Sequence, residues 1–277
     1  MVKSKVVFIL GATGTGKSKL SVNLATLFDG EIINSDKIQV YEGLDVLANK
    51  ITPAEQRGVP HHLLGIVKDP DADFNQDDFC KHAMTAIERI IGRGRLPFVV
   101  GGSNSFVEAL VEDPLVGFKS RYECCFIWLD VFPSVLNGFV SSRVDEMVRL
   151  GLVDEVREIY RDDADYTRGI RRAIGVPEMQ HYLKAEIGID GSSPDEEKRQ
   201  HLLRAAIDKI KENTHDLTSR QVGKIRRMKN KLGLDIVRIV ATPVFKKSGV
   251  EAEKEWKKSV LGPCIEIVRE FIESDDI

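Results

Sequence analysis

Eight consecutive residues near the start of the chain, Gly11-Ala12-Thr13-Gly14-Thr15-Gly16-Lys17-Ser18, follow the spacing G-x-x-x-x-G-K-S/T. Glycines at such positions let the backbone turn its N–H groups inward around an anion, and a helix opening directly afterwards adds the partial positive charge of its N-terminus. Lys17 adds a full charge, and the Ser18 hydroxyl is placed to ligate Mg2+. The motif needs a strand before it and a helix after it. Residues 6–10 are an unbroken apolar run, and a helical pattern extends from residue 17 to about residue 28. A diphosphate or phosphate is therefore expected at Gly11, Thr13, Gly14, Thr15, Gly16, Lys17 and Ser18. A phosphate loop names no reaction, however. Kinases and NTPases usually carry a carboxylate at the end of an apolar strand to help hold the metal. Here the strand at residues 96–100 ends in Gly101-Gly102-Ser103, whereas Asp130 closes the strand at 124–129 and keeps a kinase or NTPase as the runner-up class.

The elements that must carry these residues alternate. Apolar strand patterns at 6–10, 31–33, 96–100 and 124–129 are separated by helical patterns at 17–28, at 77–93 and after Ser103, which is expected to cap its helix. Such alternation predicts an α/β fold, a parallel sheet flanked by helices, of the kind seen in P-loop NTPases. The polar stretch 49–70 reads as loop. Past Asp130 helical periods dominate, at 135–150, 153–160, 177–183 and 194–232, followed by a fifth strand at 235–240 and a last helix at 250–271. Residues 1–131 and 191–277 are thus expected to form the α/β core, with 132–190 as a small helical lobe over the substrate channel.

Composition narrows the field. A formal net charge of −3 over 277 residues argues against an obligate nucleic-acid binder. The four cysteines have no C-x-x-C spacing, and adjacent His61 and His62 lack a third ligand, so neither a disulfide scaffold nor a zinc site is expected. No apolar run approaches the roughly 20 residues that span a bilayer, and the run at 6–10 is too short for a secretory segment and bounded by a glycine turn, so no targeting segment is expected.

The second strand delivers Asn34-Ser35-Asp36-Lys37-Ile38-Gln39-Val40-Tyr41, and here the sequence resembles the isopentenyltransferase family, which has tRNA-modifying and free-adenylate members. The likeness continues through Gly58-Val59-Pro60-His61-His62, Val99-Val100-Gly101-Gly102-Ser103, Arg143-Val144-Asp145-Glu146-Met147, Gly151-Leu152-Val153-Asp154-Glu155, Ile170-Arg171-Arg172-Ala173-Ile174-Gly175-Val176-Pro177-Glu178 and Ser219-Arg220-Gln221-Val222-Gly223-Lys224. Motif order is kept over roughly residues 5 to 232. The resemblance implies that the loop holds the diphosphate of dimethylallyl diphosphate and that N6 of an adenine attacks its C1. Asp36 then matches the general base, though by its residue type alone it could be a turn residue or helix cap. Arg172, catalytic by the same match, and Arg220, Lys224 and Arg121 match phosphate-holding positions; Ser35 joins the substrate-binding set. Thr15 and Ser103 are expected either to hydrogen-bond a substrate or to serve ordinary turn chemistry.

The acceptor divides the family. A tRNA enzyme must admit a flipped-out base and its flanking strand. The compact middle region, the tail holding only Cys264, and the net acidity favour free AMP, ADP or ATP over tRNA. A monomer is expected, and resemblance further implies the plastid stroma, a transit peptide having been removed, with the cytosol as the alternative.

Overall fold

The computed structural model describes residues 3–187 and 196–274. The first strand, β1 (Ser4–Leu10), buries Val6 to Leu10 completely. Val6, Phe8 and Leu10 enter the core on one side of the sheet while Val7 and Ile9 enter the core on the other. A strand alternates its side chains between faces, so burial on both requires helices on both. After β1 come α1 (Lys17–Leu27), β2 (Gly30–Asn34), a one-turn α2 (Pro53–Gln56) and the two-residue β3 (His61–His62). Then follow α3 (Gln76–Gly92), β4 (Leu96–Val100), α4 (Asn104–Glu112), the short α5 (Phe118–Arg121) and β5 (Tyr122–Asp130).

The six described strands pair in the order β3-β2-β4-β1-β5, ending in a sixth, β6 (Ile236–Val240), and every neighbouring pair is parallel. Parallel register gathers all carboxyl ends at one edge, where ligands of open α/β sheets bind. Residues 11–18 leave β1 at that edge, Ser35-Asp36 leave β2, and Gly101-Gly102 leave β4. Two contacts fix how close these turns come. A Cβ added to Gly101 would stand 2.4 Å from the Ser35 carbonyl carbon, so only glycine lets the turns after β2 and β4 touch. Ser35 N–H also donates to Val100 O at 2.8 Å. We expect Gly101→Ala to cost about 1–3 kcal/mol through overpacking, seen as a lower denaturant midpoint at unchanged slope; an unmoved midpoint would contradict the contact.

The helical region consists of α6 (Pro133–Arg149), α7 (Leu152–Ile159), a 3-10 turn (Gly169–Arg172) and α8 (Val176–Ile187), with the 36-residue α9 (Glu196–Lys231) running back to β6. The sequence pattern put the start of that long helix at residue 194, which lies outside the described residues. Gly151, at φ 106, breaks α6 from α7. Helix α9 packs against α8, α6 and α4, so one helix touches both this helical region and a helix between two strands of the sheet. Its buried positions Thr214, Thr218, Gln221, Ile225 and Met228 recur every three to four residues.

Two local expectations change. The stretch 49–70 is not all loop: Thr52 and Glu55 form a capping box that opens α2, and β3 adds an edge strand to β2. Neither is long enough to show a hydrophobic period. The last helix covers the expected stretch. After a short α10 (Thr242–Phe245), α11 (Gly249–Trp256), a π turn (Lys257–Leu261) and α12 (Gly262–Glu273) follow one another without interruption. Pro263 has no N–H for an intrahelical bond, and the wider turn before it accommodates the loss. Finally Ser103, at the N-cap of α4, makes no capping bond; its Oγ accepts the Lys37 N–H at 2.9 Å. No described helix is long and apolar enough to cross a membrane.

Candidate active site at the carboxyl edge of the sheet

Gly14 and Gly16 hold φ of 84 and 94, a region costly for any residue with a Cβ. Their surroundings add a second reason. A Cβ on Gly14 would meet Val140 of α6 at 2.7 Å, and one on Gly16 would meet the Trp256 ring of α11 at 3.0 Å. Inside the loop, Thr15 Oγ1 donates to Ala12 O at 2.9 Å, and Lys17 Nζ donates to the same carbonyl at 2.7 Å. The loop is therefore a closed turn with Lys17 folded over it. Ser18, exposed in the first turn of α1, leaves its hydroxyl free of any hydrogen bond among the described residues.

A cavity of about 270 Å³ opens over the loop, lined by Thr13, Gly14, Gly16, Lys17 and Ser18 and, across from them, by Asp36, His61, Gly102 and Arg143. Ile32, Ile51, Leu64 and Val100 add apolar wall. Desolvation takes the Lys17 ammonium down to about 8; the neighbouring Asp36 carboxylate opposes the shift and Arg143 adds to it. Burial likewise lowers Arg143 to about 10, which leaves it charged at neutral pH. Arg143 Nη2 donates to Thr13 Oγ1 at 2.7 Å, and its Nε is buried with no partner among the described residues. Two poorly solvated cations beside inward-turned backbone make a site that an anion stabilises.

Asp36 stands at the far wall. Its Oδ1 accepts Ile38 N–H at 2.9 Å and Gln39 N–H at 3.4 Å, and Asn34 Oδ1 accepts its own N–H at 3.2 Å. Nothing among the described residues hydrogen-bonds to Oδ2. The carboxylate is thus aimed by one oxygen and free at the other.

A second cavity, about 250 Å³, adjoins the first. Thr13, Asp36, Asn49 and Arg143 line both. Its own walls are apolar (Leu47, Val144, Met147, Leu152, Ile174, Leu217) with cations Lys37, Arg172 and Arg220. Lys37 is lowered by desolvation and then by repulsion from Arg172 and Lys224, with Arg220 adding to it and Asp36 opposing, so three other cations act on this one ammonium. Arg172 Nε is buried without a partner among the described residues, and Asp73 stands 3.9 Å from its Nη1.

Of the residues singled out by sequence, Thr13, Gly14, Gly16, Lys17, Ser18, Asp36, Arg172 and Arg220 line one cavity or the other, and Lys224 lines neither but its charge acts on Lys37. Five others do different work. Arg121 is corrected outright. It precedes β5, whose start pairs with Ser4 at the opposite end of β1 from the loop, and it bonds to Glu88 at 2.6 Å. Ser35 is fully buried behind Gly101 and lines neither cavity. Gly11 provides close approach, since a Cβ there would stand 2.6 Å from Leu129 O. The Thr15 hydroxyl donates to Ala12 O, the Ser103 hydroxyl accepts from Lys37 N–H, and neither residue lines a cavity. The carboxylate that kept a kinase reading open is also spoken for: Asp130 Oδ2 accepts from Arg238 Nε at 2.8 Å and from its Nη2 at 2.5 Å. His62 bonds to buried Glu31, which Arg93 and Arg95 also hold, so only His61 faces the first cavity.

Sequence reasoning passed over three side chains. Arg143 sits on the buried face of α6 with Leu136, Val140, Val144 and Met147, and a cation at an apolar helical position was the available signal. Lys37 follows Asp36 directly. Gln221 is the third, with partners more than 100 residues away in sequence.

The model of the IPP transferase family matches residues 39–120 and 112–228. The chain belongs to that family. Among curated relatives, adenylate isopentenyltransferase 5, chloroplastic, of Arabidopsis thaliana is 51% identical over 275 residues, 99% of this chain and 82% of the relative. Adenylate isopentenyltransferase 7, mitochondrial, of the same plant is 47% identical over 275 residues, again 99% of this chain and 82% of the relative. Among solved structures, the full-length tRNA isopentenylpyrophosphate transferase of Bacillus halodurans superposes with TM-score 0.74 at 28% identity, covering 98% of this chain and 100% of that one. An IPP transferase site must bring a diphosphate and an acceptor together, and the two joined cavities have that form.

Proposed function

We propose that this IPP transferase moves the dimethylallyl group of dimethylallyl diphosphate onto N6 of the adenine in free AMP, ADP or ATP and releases diphosphate, the step that opens cytokinin biosynthesis. One observation carries the reading: a phosphate-loop cavity and a cationic cavity meet at Asp36 and Thr13. The donor diphosphate lies on the loop with its short apolar chain toward Ile32, Ile51 and Leu64. The nucleotide enters the second cavity, its base directed to the junction and its phosphates to Lys37, Arg172, Arg220 and Lys224. The N6–C1 bond forms as the C1–O bond breaks, and the N6 proton passes to Asp36 Oδ2. An exocyclic amine shares its lone pair with the ring, so a carboxylate that orients it and takes the proton lowers the barrier. Charge grows on the departing diphosphate, and Lys17, Arg143 and the loop N–H groups stabilise it there more than in the ground state.

Among the described residues no group of three or more His, Cys, Asp or Glu could hold a metal. Mg2+ would therefore rest on the free Ser18 hydroxyl and on the ligand's own phosphates, a donor set that suits it. It would neutralise charge on the diphosphate. The relatives named chloroplastic favour the plastid stroma as compartment, and we take the enzyme to act as a monomer.

The experiment is incubation with dimethylallyl diphosphate, Mg2+ and each nucleotide, read by product mass. A gain of one prenyl group on the adenine, matched by one diphosphate released, is expected. Orthophosphate from ATP with no prenylated product would reinstate the NTPase class.

Lys17 gives a pH prediction. Its lowered value means the free site loses the charge as pH rises through about 8, while a bound diphosphate favours the charged form. Affinity for an unreactive donor analogue should be level below that pH and fall above it, approaching tenfold per unit. Lys17→Met should remove the slope. A wild-type affinity that stays level from pH 8 to 9.5 would contradict the assignment.

A further inference from the structure

Gln221 sits on α9 one residue after Arg220, nearly buried at 7% exposure, and lines the second cavity beside Thr13, where the scheme above gives it no contact with base or diphosphate. Its bonds run elsewhere. The side-chain Oε1 accepts the Thr13 N–H at 2.8 Å, and Nε2 donates to Gly102 O at 3.0 Å. Its backbone carbonyl accepts Asn104 Nδ2 at 3.1 Å. One side chain thus ties the phosphate loop after β1, the turn after β4 and the helix that presents Arg220 and Lys224.

Two further contacts sharpen this. Thr13 is a wall common to both cavities, held at its N–H by Gln221 and at its hydroxyl by Arg143. A Cβ on Gly102 would stand 2.4 Å from Gln221 Nε2 and 3.4 Å from Asp36 Oδ2, so the Gln221 amide also backs the wall beside the carboxylate. An N–H that a phosphate could have used is spent instead on Gln221. Such spending makes sense if the bond transmits position.

We infer that Gln221 is a positioning residue that registers α9, and with it the nucleotide-phosphate cations, against the phosphate loop, so that filling one cavity strengthens binding in the other. The inference rests on the reading that the cavities take donor diphosphate and nucleotide. An anion on the loop fixes Thr13 and, through the Gln221 amide, α9. A nucleotide held by Arg220 and Lys224 fixes α9 and returns the same free energy to the loop, because coupling between two sites is reciprocal.

The test is calorimetric, with inorganic diphosphate and Mg2+ as one probe and ADP as the other. In the wild type, saturating diphosphate should tighten ADP about fivefold or more, at the low end of usual couplings. Gln221→Met keeps the bulk but makes neither side-chain bond. It should bring that factor close to one while each probe alone binds within about threefold of wild type. Gln221→Glu keeps the polar side chain in the same space and restores an acceptor for Thr13 N–H, so part of the coupling should return. Coupling that survives in Gln221→Met, or both probes weakened in parallel with their coupling intact, would reduce Gln221 to a structural strut and overturn the inference. Two probes that bind the wild type without influencing each other would overturn it as well, leaving the functional reading standing. Failure of either probe to bind the wild type would remove that reading first, and the inference with it.

Discussion

Asp36→Asn is expected to lower kcat by about 10²–10⁴, the usual worth of a positioned general base. The substitution is conservative in the fold. Asn keeps an oxygen for the Ile38 N–H that Oδ1 accepts, and it keeps the volume between the turns after β2 and β4. What changes is the free end, where an amide that cannot take a proton replaces Oδ2. Binding of donor and nucleotide should change little beside kcat, since the proton moves only as the N6–C1 bond forms. Turnover within about threefold of wild type, in a variant with an unshifted melting curve, would show that the proton leaves by another route.

Lys17→Ala should be nearly as severe but should divide differently. The ammonium faces the diphosphate both before and after the C1–O bond breaks, so KM for the donor rises and kcat falls together. A hydrogen bond to a charged group is worth about 1.5–3 kcal/mol, or roughly 10–150-fold in affinity. Nucleotide binding without donor should change far less, because Lys17 lines only the first cavity. If ADP affinity collapses and donor affinity survives, the loop holds the nucleotide and the roles of the two cavities are exchanged.

How much of this was readable without coordinates depends on how local each contact is. The loop from Gly11 to Ser18 is one continuous segment between a strand and a helix, so spacing alone located the diphosphate cavity. Asp36 was visible through the family resemblance; its place two residues past the end of its strand at Asn34 would equally have suited a turn residue or helix cap. The family match misled at Arg121: it precedes β5, and parallel pairing with β1 puts it at the end of the sheet away from the loop. Ser35 and Gly11 belong to the right turns, but they sit in close-packed backbone that leaves no room for a Cβ at Gly11 or at Gly101. Gln221 was beyond reach because the Thr13 N–H it accepts lies 208 residues away. Arg143 was the readable omission, a charge placed where helical periodicity demanded a hydrophobe.

The choice of acceptor is the claim on which the account turns, and one competition decides it. ADP and a tRNA anticodon stem-loop, at equal concentration with dimethylallyl diphosphate and Mg2+, are followed by product mass from low to physiological salt. We expect ADP to be labelled in strong preference, its rate falling only modestly across the series, because Lys37, Arg172, Arg220 and Lys224 meet only the few phosphates of one nucleotide. An RNA footprint that neutralises many phosphates loses orders of magnitude in affinity over a comparable range. Preferential labelling of the stem-loop with that steep salt slope would contradict the account and make the second cavity an entry for a flipped-out base.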